Sequence, residues 1–221
     1  MSSANSSAAG GPRSGSRRPT LSRGDRQESA LLDSVEALLV TKPLERITIA
    51  DVAQHTGLSR PAVYFYFASK DALAETAIAR TVDGLIAAVE ERAAKVPDES
   101  LDVCIDDLLT IGLAMWRRSS PLLIAAVDLL GRRPALREIW QAYMNRCAAI
   151  VASAVERDRD RGVLPRNGDA LAIATAACWM FERNCYMLFM REHTRSDEDE
   201  LMATIAMIFR RSLGAEDPCP A

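Results

Sequence analysis

The sequence predicts an all-α protein of about nine helices, with a small three-helix unit near the N-terminus and a larger helical bundle after it. Three observations carry this. From Asp25 onward apolar residues recur every three or four positions, and alternating runs of the strand type are almost absent. Proline, glycine and capping residues fall between these periodic segments. The chain has 221 residues, 48% of them hydrophobic, enough for one ordinary core and a small one.

Residues 1–24 are rich in Ser, Gly, Ala, Pro and Arg and carry no acid. Such a segment buries too little apolar surface to offset its ordering entropy, and a disordered basic arm is expected. Its Arg13, Arg17, Arg18 and Arg23 either keep it solvated or lie along a polyanion. The first helix is expected over 25–41, with Ala30, Leu31, Val35, Leu38 and Leu39 at helical spacing and Pro43 beyond its end. A second starts at Thr48, whose hydroxyl caps it with Asp51 as capping-box partner, and stops at Gly57. A third, short helix starts at Ser59 with Pro61 in its first turn, where a missing N–H does no harm. A fourth runs from Ser69 to near Lys95. Five more are expected over 100–118, 121–130, 134–161, 168–193 and 197–213, punctuated by Pro121, Pro134, Gly162 and Pro165.

Composition narrows the function classes. The net charge of −3 argues weakly against a nucleic-acid partner, but the charge is uneven, with a basic start and an acidic stretch from Asp197 to Glu200. The five cysteines form no C-x-x-C, and most sit in apolar helical runs, so a reducing, cytoplasmic compartment without disulfides is expected. His55 and His193 have no ligand-spaced partners, so no metal is expected, and no cofactor either. No run approaches the ~18–20 apolar residues of a membrane span, and no apolar signal core follows the first arginines. A Gly-rich phosphate loop, H-E-x-x-H and G-x-S-x-G are all missing, and the consecutive Asp106 and Asp107 diverge on a helix. These observations argue against an enzyme.

The densest signal is ITIADVAQHTGLSRPAVYFYFASK, Ile47 to Lys70. Two short helices around a glycine form the helix-turn-helix pattern. Val52 and Ala53 face inward, and the small Ala53 permits close helix approach. Gly57 supplies a positive φ, and Leu58 and Val63 close the core. Ser59, Arg60 and Ala62 project from the start of the second helix, the end that meets base edges in the major groove. Tyr64, Phe65, Tyr66 and Phe67 follow in a run, and four consecutive residues cannot share one helix face. Tyr64 and Tyr66 are assigned to phosphates, Phe67 to the core, and Phe65 stays open. Lys70, beside the cap Ser69, can place its ammonium on the same backbone. The candidate DNA-contacting set is therefore Thr48, Ser59, Arg60, Pro61, Ala62, Tyr64, Tyr66 and Lys70.

Gly57, Tyr64, Phe65, Phe67 and Lys70 match the pattern of the TetR family, which residues 25–75 resemble. The stretches GDRQESALLDSVEALL, SRPAVYFYFASKDAL, EIWQAYMNRCAAIV and MFER are similar to the mycobacterial ethionamide-resistance branch of that family. The resemblance implies a TetR-like fold, with a helix-turn-helix domain over 25–70 and a ligand-binding and dimerisation domain over 71–221. It implies a homodimer on a double-stranded DNA operator, repression, and a small lipophilic effector in an apolar channel. It also implies that Phe181 stands where that branch places a channel asparagine.

Ile105, Leu109, Leu113 and Trp116 form one apolar stripe, followed by Leu123, Ile124 and Val127, and by Trp140, Met144 and Cys147. Any one of them is most simply core. The resemblance raises a pocket above that reading, with Trp179 and Phe181 joining the candidate ligand-binding set. The stripe has no charge cluster, so a neutral or amphipathic ligand is expected. Ala170, Ala172, Ala174, Ala176 and Ala177 permit close approach to the helix over 168–193, and Leu201, Ile205, Ile208 and Phe209 form a stripe on the last one. Two such helices per chain suit a four-helix dimer seam, with Glu182 and Arg183 as an ion pair there or near the pocket. An activator, or a regulator without an inducer, is the alternative.

Overall fold

Capping chemistry sets where the helices begin. The computed structural model describes residues 22–95 and 101–214. Among them the regular structure is eight α-helices and one 3-10 turn, Leu44–Arg46. Helix α1 spans Arg23–Leu39, two residues earlier at its start than the apolar period implies, because Ser22 and Asp25 form a capping box. The arm over residues 1–21 lies outside the described residues. Helix α2 spans Ile49–Thr56 behind the expected Thr48–Asp51 capping box, and α3 spans Arg60–Tyr66 behind Ser59. Between them Gly57 takes φ 69°, a left-handed conformation that costs other residues strain.

Helix α4 spans Lys70–Lys95, α5 Leu101–Leu129, α6 Pro134–Asp160, α7 Ala170–Phe189 and α8 Arg195–Ser212. The two helices expected over 100–118 and 121–130 are one kinked element, which makes eight helices rather than nine. Pro121 lacks an N–H and its ring crowds the carbonyl four residues back, so the backbone departs from helical geometry at Ser119 (φ −127°, ψ 24°) and then resumes. Asp158 of α6 accepts the Leu101 N–H at 2.7 Å and so fixes the start of α5. Helix α8 begins at Arg195 because Thr194 and Asp197 form a third capping box. Its buried Glu198 ties it to α5. Burial works against the Glu198 carboxylate, but Arg117 and His193 outweigh that and hold its pKa below the usual range.

The core does not divide at the end of the helix-turn-helix. One apolar cluster runs from Leu31, Val52 and Val63 through Leu73, Ile78, Val82 and Leu85 of α4 to Trp116, Leu123 and Trp140. A second joins Leu101 and Ile105 of α5 to Val155 of α6, Ala170 and Ala174 of α7, and Phe209 and Leu213 of α8. Every α4 residue from Leu73 to Val89 in the first cluster is under 8% exposed, so the helix is fixed to both ends of the molecule.

Candidate DNA interface and effector cavity

Helix α3 presents its N-terminal half outward. Val63 and Phe67 are buried, while Ser59, Arg60, Pro61 and Tyr64 are exposed and Ala62 is half-buried. Phe65, left open by the sequence, is 83% exposed and meets the Tyr66 ring edge-on at 5.2 Å. Three members of the expected DNA-contacting set have their donors committed within the protein. Tyr66 donates its hydroxyl to Gln27 Oε1 of α1 at 2.9 Å, so it has no proton left for a phosphate. Thr48 donates both its N–H and its hydroxyl to Asp51 Oδ2, each at 2.8 Å. Lys42 is the main reason the Asp51 carboxyl is lowered to about 2, and Thr48 adds to it.

Lys70 is the largest departure. Its ammonium donates to the carbonyls of Leu44, Glu45 and Ile47 at 3.2, 2.8 and 3.1 Å, which uses all three of its protons. It clamps the 3-10 turn and the entry to α2 against the first residue of α4. Arg23, which the sequence places in the basic arm, and Arg26, which was not singled out there, both lie at the start of α1. Arg23 and Arg26 of α1 line a shallow groove with Gln27, Thr56 and Leu58. For Arg26, its position three residues beyond Arg23 of the basic arm was the available signal.

The second feature is an apolar cavity enclosed by α4, α5, α6, α7 and α8, with about 740 Å³ of empty space counting its mouth. Of the expected ligand set, Ile105, Leu109, Met144, Cys147 and Phe181 line it. Leu113, Trp116, Leu123, Val127 and Trp140 do not; they are buried among other core side chains. Ile124 and Trp179 pack partly buried against the same core, away from the cavity. The wall instead gains Leu85 and Val89 of α4, Tyr143 and Val151 of α6, and Ile205 and Phe209 of α8. The last two had been assigned to the dimer seam.

Gly112 shapes one wall. A Cβ there would stand 2.6 Å from Phe181 Cζ, so glycine lets the Phe181 ring lie directly on the α5 backbone. The lining carries no charged side chain. Burial pushes the Cys147 and Cys178 thiols up to about 11 and about 12, and pushes the Tyr143 phenol well above its usual value, so the wall stays neutral. Leu85 and Val89 place the cavity against α4, the same helix that begins at Lys70. Arg133, just before α6, also pairs with Asp71 and with Glu75 in the first turns of α4.

A helix with an exposed basic start, Arg60 at the first position of α3, is thus followed directly by one long helix that reaches an apolar cavity. Residues 31–77 match the family described as "Bacterial regulatory proteins, tetR family". Residues 105–214 match "Transcriptional regulator EthR, C-terminal domain". The HTH-type transcriptional regulator EthR of Mycolicibacterium smegmatis is 30% identical over 201 residues, covering 89% of this chain and 90% of that protein. The chain belongs to the TetR family.

The EthR of Mycobacterium tuberculosis is 29% identical over 201 residues, 91% of this chain and 93% of its own length. A TetR-family transcriptional regulator from Mesorhizobium loti has a similar structure, with TM-score 0.71 at 16% identity, covering 87% of this chain and 98% of that one. This TetR-family protein is a helix-turn-helix transcriptional regulator, not an enzyme. Among its described residues no helix is long and apolar enough to cross a membrane. Lys70→Ala is expected to lower unfolding stability by about 1–3 kcal/mol and to weaken operator binding by loosening the clamp. The salt dependence of binding should keep its slope; a fall of about one unit in that slope would make Lys70 a phosphate contact instead.

Proposed function

We propose that this regulator is a homodimeric repressor, released from its operator by a small lipophilic molecule that fills the cavity. One observation carries the reading: α4 starts at the clamp that holds the helix-turn-helix and also supplies Leu85 and Val89 to the cavity wall. Those residues lie 15 and 19 positions beyond Lys70, about 22–28 Å along a helix. A ligand that pushes on this wall tilts α4 and carries α3 with it. For release, the ligand must bind the shifted conformation better than the DNA-competent one.

The homodimer is supported by the outer faces of α7 and α8. Leu171, Met187 and Met190 beside α7's alanines, and Met207 and Ile208 on α8, are between 36% and 57% exposed. Two such pairs bury one another in a four-helix seam. One short recognition helix reads too few base pairs to single out a promoter, so two copies on a palindromic or near-palindromic site complete the selection.

Within the DNA interface, Arg60 reads bases, with Ser59, Pro61 and Ala62 at the same helix end, and Tyr64 holds a phosphate. Arg23 and Arg26 add backbone contacts. Arg60→Ala should flatten base preference at one position in each half-site, since a bidentate Arg–guanine pair discriminates by about 1–3 kcal/mol. Tyr64→Phe should weaken binding evenly across sequences. Mobility-shift titrations against single-base operator variants separate the two, and an even loss from Arg60→Ala would move that residue to the backbone.

Effector sensing is checked by a shift assay on the region upstream of the protein's own gene, with a panel of fatty-acid esters, aromatic amides and lipophilic amines. Wild type should release DNA with at least one of them. Leu109→Trp and Gly112→Leu occupy the cavity or drive Phe181 into it, and should blunt that release at least tenfold. Release by no lipophilic compound, or unchanged release from both filled variants, would refute the cavity as the sensor.

A further inference from the structure

Glu182 of α7 is 3% exposed, and neither of its carboxyl oxygens has a hydrogen-bond partner. The adjacent Arg183 reaches only to 4.0 Å through its Nε, and its exposed guanidinium lies over the Tyr186 ring, 5.0 Å from the centroid. A buried carboxyl without a donor is rare in folded proteins and points to a donor from outside the chain. Glu182 directly follows Phe181 and stands one helical turn beyond Cys178, both of them cavity walls. Glu182 itself is not among the side chains that line the cavity; it follows them on the same helix.

The Trp140 indole N–H, one turn before Met144 of the wall, also lacks a partner, and its ring meets Tyr143 edge-on at 5.6 Å. Among the described residues, α6 thus carries one buried unpaired indole donor and α7 two buried unpaired carboxyl oxygens. The excess of acceptors fits a head group rich in donors. The rest of the cavity is apolar and fits a tail.

We propose that the effector is a lipophilic amine whose protonated nitrogen pairs with Glu182 while its hydrocarbon part fills the apolar cavity. This rests on the reading of that cavity as the effector site. An ammonium brings three donors and the opposite charge, and charge-assisted hydrogen bonds are the strong ones in a dry site. Burial raises the Glu182 carboxyl's pKa, with Arg183 opposing, and a bound ammonium would restore its ionised form. The pair thus replaces an uncompensated buried group with a compensated one, which favours the ligand over neutral molecules of the same shape.

The test uses the full chain at pH 7.5, calorimetric titration, and two probes: 6-phenylhexylamine and its neutral isostere, 6-phenylhexyl methyl ether. The amine should bind wild type at least tenfold more tightly than the ether. In Glu182→Gln that preference should fall below twofold, with ether binding unchanged. The wild-type comparison stands without the variant, and Glu182→Gln should unfold no earlier than wild type, because it removes an unpaired buried acid. Equal binding of both probes to wild type, or a preference that survives in Glu182→Gln, overturns the proposal. If the ether binds wild type and loses its affinity in Gly112→Leu, the cavity reading stands while the amine reading fails. If neither probe binds wild type, the amine reading fails, and the cavity reading is decided by the release assay.

Discussion

The structure depends on one buried helix face. From Leu73 to Val89, α4 packs an apolar stripe that includes the buried Thr81, first against the helix-turn-helix and then against the helices around the cavity. Interiors packed at native density shift between discrete arrangements more readily than they deform. A helix gripped at both ends therefore transmits a displacement instead of absorbing it. Lys70 fastens one end to three carbonyls, Arg133 braces the next turn, and the cavity lies beside the far half. The helix-turn-helix and the cavity are joined by one continuous helix in the described residues.

The helix-turn-helix was legible because its signals are local. A capping box, a glycine at a positive φ and an inward Val63 each follow from residue type and spacing within a few positions. The roles of Tyr66 and Lys70 were not legible, because their acceptors lie 39 and about 25 residues away in the chain. Spacing showed that both side chains were available at that end of the domain. It could not show that Gln27 and the Leu44–Ile47 carbonyls would take their protons first.

The cavity shows the same limit at a larger scale. The stripe from Ile105 to Trp116 is continuous in sequence, yet Ile105 and Leu109 face empty space while Leu113 and Trp116 face filled core. Periodicity identifies a buried face but does not say where that face is left incompletely filled. The kink at Ser119 adds to this, since it redirects Leu123, Ile124 and Val127 away from the line of the first half of α5. Ile205 and Phe209 were read as seam residues because an amphipathic last helix offers two candidate apolar faces. The structure turns these two inward and leaves Met207 and Ile208 outside.

In the proposed dimer, occupancy of the cavity moves the two recognition helices relative to each other. Two helices must sit about 34–36 Å apart to meet successive turns on one DNA face. The direct measurement is the distance between spin labels on the two protomers of a dimer, placed at exposed position 68 just beyond α3, with and without a releasing ligand. The account predicts one distance distribution that shifts by several ångströms in proportion to cavity occupancy. An unchanged distribution at a ligand concentration that releases the operator would contradict it.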